Sequence, residues 1–252
     1  MIFRPRRFRW FGLFLVGVCL LLTLARAGAA EFSPAQREAI VETLRDALRR
    51  DPSILRDAIE AMRNDETRRQ EDGVRAAIAA AREKLLDPAD PVGGNPHGDV
   101  TVVEFVDVRC TYCRKLQPTI AALLQADPQI RLVLKDLPIL GAASVLGAQA
   151  LLAAQAQGGY GKLRGALMTQ AAPPTLDSIR ADARRLGLDG ERLAREMESP
   201  AVAVRIKANL ALAAQLGIQG TPALVIGDMM IPGAVGLAEL QQAVQQARAA
   251  RR

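Results

Sequence analysis

The stretch VTVVEFVDVRCTYCRKLQPTI, residues 100–120, constrains this chain more than any other. Val100 to Val106 is an apolar run rich in β-branched residues, the pattern of a buried strand. The chain then turns through Asp107, Val108 and Arg109 into Cys110-Thr111-Tyr112-Cys113. Beyond that the apolar spacing changes to Leu116, Ile120, Leu123 and Leu124, which is helical. A strand that delivers a CxxC to the start of a helix is an arrangement suited to disulfide exchange.

In such exchange a thiolate attacks, so the leading cysteine must ionise below the ordinary thiol pKa of about 8.5. Unpaired N–H groups at a helix N-terminus favour the anion, which makes Cys110 the expected nucleophile. Cys113, three residues on, shares its helix face and is placed to resolve a mixed disulfide. Arg109 and Arg114 flank the pair and are expected to add a weak positive field. Other uses of a CxxC fit less well. A structural zinc takes about four ligands, and outside the pair the chain offers Cys19 and His97. No metal site is expected. A bridge across two intervening residues also closes too small a loop to restrain the unfolded chain much.

Residues 1–27 carry Arg4, Arg6, Arg7, Arg9 and Arg26 and no acidic residue. An apolar run from Phe11 to Ala25 follows the first arginines, and Ala25-Arg26-Ala27 supplies small residues for cleavage. That order is a secretory signal peptide, cut after Ala27 or Ala30. An uncleaved anchor is the alternative, although the run is short for a span of about 20 residues. Without these arginines the 33 basic and 27 acidic residues come close to balance, so no nucleic-acid partner is expected. Export places the CxxC in an oxidising compartment, the periplasm.

Residues 28–90 read as an N-terminal helical segment and linker. Ser33-Pro34-Ala35-Gln36 has the cap, first-turn proline and third-position glutamine of a helix start. Ile40, Leu44 and Leu48 follow, then Leu55, Ile59 and Met62. Residues 63–73 are almost wholly polar, either a solvated helix face or a flexible connector, before Val74, Ala77, Ile78, Ala81 and Leu85 rebuild a seam. Such stripes cannot make a core alone. They must bury on the following domain or on another copy, so residues 34–86 are a candidate homo-oligomer surface. Asp87 to Asp99, rich in Pro, Gly and Asp, reads as a linker.

Residues 91–252 read as one domain. After the CxxC helix, residues 130–138 form a second buried strand stopped by Pro138. A helical insertion spans about 141–216, in which Ser144 opens a helix and Thr175 caps another that Gly187 ends. Thr221-Pro222 leads into Ala223–Ile226, with Gly227-Asp228 turning to Met229–Ile231 and a last helix striped by Leu237, Leu240 and Val244. From the residues alone, the peptide bond before Pro222 is open between cis and trans.

This order of elements resembles the DsbA family of thiol–disulfide oxidoreductases, in its Com1-like and ScsC-like branch, over roughly residues 90–250. The resemblance is specific at GNPHGDVTVVEF (94–105), CTYCRK (110–115), LKDLPILGAAS (134–144) and GTPALVIG (220–227). It implies an α/β thioredoxin fold with a helical insertion, preceded by a helical segment that can drive oligomerisation. Carried over, it implies Cys110 as nucleophile, Cys113 as resolving thiol, and Pro222 as a cis-proline facing the CxxC. Backbone at Thr221 and Pro222 would pair with an extended substrate peptide. Glu104 matches a buried acid that exchanges protons with Cys113. Partners implied are cysteine-containing exported proteins and a membrane redox partner, with no bound organic cofactor. Within the motif, Thr111-Tyr112 stands where the strongly oxidising member has Pro-His. Tyr112 is neutral at pH 7 and offers no imidazolium, which implies a weaker oxidant and leaves oxidase, isomerase and reductase open. A reading from a different class is copper handling, with the two thiolates taking Cu(I).

Overall fold

A computed structural model describes residues 32–250. The signal-peptide reading of residues 1–27, Cys19 included, lies outside the described residues. The chain divides into two units between Asp65 and Glu66.

In the first unit, α1 spans Pro34–Arg50. Its start is the expected capping box: the Ser33 hydroxyl accepts from the Gln36 N–H at 3.2 Å, and the Gln36 side chain accepts from the Ser33 N–H at 2.8 Å. The Asp51 carboxylate accepts from the Ser53 N–H at 3.0 Å, where α2 (Ser53–Ala80) begins. Ile40, Leu44, Leu55, Ile59 and Met62 are all exposed, Met62 by 72%. The polar run 63–73 belongs to α2 and is not a flexible connector. Its Arg, Glu and Gln residues are good helix formers, so propensity sustains the helix where no apolar stripe is present.

In the second unit, five strands among the described residues make one sheet in the order β1-β3-β2-β4-β5. They are β1 Val92–Gly94, β2 Val100–Val106, β3 Ile130–Asp136, β4 Ala223–Ile226 and β5 Met229–Pro232. The central strand β2 runs parallel to β3 and antiparallel to β4. Strand alternation sorts its side chains between two cores. Val100, Val102 and Val106 pack with Leu132 and Leu134 against α4 (Thr111–Ala126) and α10 (Leu237–Ala249). Val103, Phe105 and Val133 face the other side, against Ile78 from the end of α2, Ala81 just beyond it and Leu85 of α3 (Arg82–Leu85). The seam at 74–85 thus buries on the sheet, as one of the two expected alternatives required. A fully buried side chain such as Phe105 or Leu116 contributes about 1.5–3 kcal/mol.

β1 occupies part of the expected linker, paired antiparallel with β3. Two of its three residues are glycine, which leaves no alternation to read. Gly94 has φ of 64°, and a Cβ there would sit 2.6 Å from the Ile130 carbonyl oxygen, so a side chain is excluded on both counts.

Between β3 and β4 lie α5 (Ala142–Gln155), α6 (Tyr160–Thr169), α7 (Leu176–Arg185), α8 (Gly190–Met197) and α9 (Pro200–Gln215). Thr175 caps α7 through a capping box, and Gly187, with φ of 81°, follows its end. Ser144 does not open α5 as expected: Gly141 is the cap, and Ser144 is buried one turn inside. A small hydroxyl can fill a tight helix contact as well as a cap, and the two uses look alike in sequence.

Candidate active site

The end of β2 is tied down by Asp107. One carboxylate oxygen accepts the Arg109 N–H at 2.8 Å, and the other accepts the N–H groups of Ile139 and Leu140 at 3.0 and 3.2 Å. Its carbonyl accepts the Cys110 N–H at 3.0 Å. Cys110 is then the N-cap of α4, and its Sγ accepts the Cys113 N–H at 3.3 Å. This is the cap role usually filled by Ser or Asp, with sulfur as the acceptor. α5 closes on the turn so tightly that a Cβ at Gly147 would lie 2.5 Å from Val108 Cγ2.

Facing the sulfur is the loop before β4. The Thr221–Pro222 peptide is cis. Cys110 Sγ donates to the Thr221 carbonyl at 3.1 Å, and the Pro222 carbonyl accepts the Gly233 N–H at 2.8 Å. Residues 111 apart in sequence thus meet across the site.

The two thiols, unbridged here, differ in setting. Cys110 retains 5% of its surface and Cys113 none. Burial pushes the Cys113 thiol well above the ordinary range, and contacts with Asp107 and Thr221 oppose this only in part. The flanking arginines are engaged elsewhere. Arg109 donates to the carbonyls of Ala171 and Ala172, and Arg114 to that of Val108. Their positive ends are therefore bonded to backbone oxygens rather than to sulfur. Tyr112 is 62% exposed, with Lys115 Nζ 5.5 Å from its ring centroid.

Behind the thiols lies a buried polar cluster that the sequence reading found only at Glu104. Strand alternation turns Glu104 of β2 and Asp136 of β3 to the same face as α4. Arg164 of α6 donates to Glu104 at 2.8 Å and to Gln117 at 2.7 Å. Gln117, one turn beyond Cys113 on α4, lies 3.5 Å from Glu104. Tyr160, one turn before Arg164, donates its hydroxyl to Asp136 at 3.1 Å. Burial raises the Glu104 pKa, with Arg164 opposing. It raises that of Asp136 to about 7, against the pull of Tyr160 and Arg164 and reinforced by Asp107 and Glu104. Tyr160 is pushed well above its ordinary range by burial and by Asp136.

The available sequence signal was Lys135-Asp136 directly after the apolar Leu132-Val133-Leu134. The two point to opposite faces, Asp136 into this cluster and Lys135 into a buried ion pair with Asp90. Arg164 and Gln117 had no signal, since each looks like an ordinary surface residue of an amphipathic helix.

A helix-capping CxxC on the central strand, set against a proline loop reached through a helical insertion, places the chain among thioredoxin-fold proteins. The family model of the DSBA-like thioredoxin domain matches residues 101–245, more than half of the chain, and the chain belongs to that family. A thioredoxin-like oxidoreductase from Silicibacter pomeroyi DSS-3 is 46% identical, with a TM-score of 0.64 over 67% of this chain and 98% of its own. A linker-deletion variant of Proteus mirabilis ScsC is 27% identical, with a TM-score of 0.65 over 88% of this chain and 99% of its own. This likeness agrees with the ScsC-like branch. In sequence, the Na(+)/H(+) antiporter NhaA 3 of Salinispora tropica is 28% identical over 185 residues, 70% of this chain. The chain spans only 28% of that relative's length.

Proposed function

We propose that this chain is an exported protein thiol–disulfide oxidoreductase that works through a mixed disulfide at Cys110. The observation that carries the reading is the placement of Cys110 Sγ at the N-cap of α4, 3.3 Å from the Cys113 N–H and 3.1 Å from the Thr221 carbonyl. An N–H aimed at sulfur favours negative charge there. Cys113, buried and holding its proton tightly, is suited to resolve and not to attack first.

The steps balance in both directions. When the pair is oxidised, a substrate thiolate attacks Cys110 Sγ, the Cys110–Cys113 bond breaks, and Cys113 leaves and takes up a proton. A second substrate thiolate then completes the substrate disulfide and displaces Cys110 as a thiolate. Two electrons pass to the enzyme. In reverse, the Cys110 thiolate opens a substrate disulfide. Cys113 then gives up its proton, with Glu104 as acceptor, and attacks Cys110 Sγ to release the substrate thiol. Backbone at Thr221-Pro222 and the exposed Tyr112 receive the substrate peptide.

The oxidising compartment follows from the signal-like residues 1–27. Among the described residues no helix is long and apolar enough to cross a membrane. Isomerisation is the direction favoured if the exposed Ile40, Leu44, Leu55, Ile59 and Met62 join copies of the chain. Several Cys110 sites would then act on one scrambled substrate at high effective concentration, with a membrane partner keeping them reduced. The likeness to ScsC over 88% of the chain supports treating residues 34–86 as part of the working protein.

The test is trapping. Cys113→Ser should accumulate mixed disulfides with cysteine-containing proteins on non-reducing electrophoresis, while Cys110→Ser forms none. Exchange that survives in Cys110→Ser overturns the assignment.

A further inference from the structure

We propose that Glu104 and Asp136 form a two-carboxyl store, set on one face of adjacent strands around the Arg164 guanidinium, that holds a single proton for the Cys113 thiol. The inference rests on the disulfide-exchange reading and adds Asp136 as a positioning residue that acts through Glu104.

Glu104 and Asp136 are 0% and 1% exposed, so water does not solvate either carboxylate. Arg164 bonds Glu104 directly and also bears electrostatically on Asp136. One guanidinium thus faces two buried carboxyls, and like charges in one dry site do not both ionise readily. Among the described residues, Arg164 is the cation that acts on both carboxyls. Asp107, after β2, is itself acidic and is satisfied by three backbone N–H groups. From α6, Tyr160 presents a neutral hydroxyl, and from α4, Gln117 presents an amide. From α9, Asn209 donates to the Asp136 carbonyl at 3.0 Å. Lys135 lies on the opposite face, paired with Asp90.

The division of labour follows from the bonds. Glu104 has the guanidinium hydrogen bond and is the ionised member. Asp136 has only the Tyr160 hydroxyl and keeps the proton, in line with its raised affinity near neutral pH. Gln117, one helical turn beyond Cys113 on α4, is bonded to both Glu104 and Arg164, so the hydrogen bonds of the pair end on the helix that carries the thiol. When Cys113 leaves as a thiolate, the store supplies its proton. When Cys113 must attack, the store takes the proton back. Because the two carboxyls are coupled, the step belongs to the pair.

The equilibrium of the full chain with reduced and oxidised glutathione, followed from pH 5 to pH 9, tests this. Wild type should show a one-proton inflection near neutral pH. In Asp136→Asn, Glu104 has Arg164 to itself and the inflection should move to lower pH. The ratio of the two equilibrium constants then changes on the order of tenfold across the titration. Tyr160→Phe removes the donor to ionised Asp136 and should move the inflection to higher pH. It serves as the deciding variant if Asp136→Asn does not unfold cooperatively in urea. Variant curves parallel to wild type at every pH overturn the proton store and leave disulfide exchange standing. A wild-type chain that does not equilibrate with glutathione at all overturns both.

Discussion

Replacing Asp136 with Asn should stabilise the protein at neutral and alkaline pH, by an amount that depends on pH. The Asp136 carboxyl is moved from its ordinary value of 3.8 to about 7 by burial. Below about pH 4 the folded and unfolded chains both hold this proton. Between pH 4 and pH 7 the unfolded chain has released it and the folded chain has not, so stability falls as pH rises. Above pH 7 both are ionised and the penalty is constant. At about 1.4 kcal/mol for each pH unit, it reaches about 4 kcal/mol. Asparagine does not ionise and still offers a carbonyl to the Tyr160 hydroxyl. A weakened hydrogen bond costs about 1 kcal/mol, which leaves a net gain of about 3 kcal/mol at pH 8 and a net loss of about 1 kcal/mol at pH 4. Urea unfolding of both proteins at pH 4, 5, 6, 7 and 8, with reductant to keep the thiols free, measures the difference directly. A difference that stays constant with pH, or a variant less stable at pH 8, refutes the burial argument.

Two further outcomes are expected. Arg164→Met leaves Glu104 without its guanidinium and should cost about 3–5 kcal/mol at pH 8. The loss should be smaller at pH 5, because a carboxyl whose proton affinity is already raised by burial takes up a proton, and the same urea series reads both. By light scattering, the chain should be oligomeric, and a form beginning at Glu66 should be monomeric. If both are monomers, the exposed stripe of α1 and α2 makes no contact between copies, and the isomerase direction loses its support.

Much of the architecture was legible because local rules act on neighbours in sequence. β-branched Val100 to Val106 announces a buried strand, Ser33-Pro34-Ala35-Gln36 announces a helix start, and a CxxC at a strand–helix junction announces thiol chemistry. The motif around Pro222 carried a resemblance but no distance. That Thr221 reaches Cys110 is a product of the sheet, in which β4 pairs with β2 after the insertion. The same limit explains the misread positions. Gly93 and Gly94 carry no alternation, so β1 looked like linker, and Ser144 looked like a cap because a small polar residue suits both a cap and a tight interior. The polar run 63–73 kept both its readings until the structure showed it as helix.

The sequence by itself determined the fold class, the place of the CxxC at a strand–helix junction and the order of β2 to β5 along the chain. Only the tertiary structure decided which charges share an environment. Glu104, Gln117, Asp136, Tyr160 and Arg164 come from β2, α4, β3 and α6, and no pattern along the chain relates them. Strand alternation and helix packing turn them to one face, and burial there sets their proton affinities. Those affinities depend on the surrounding dielectric and on partners distant in sequence, which a linear pattern of residues does not encode.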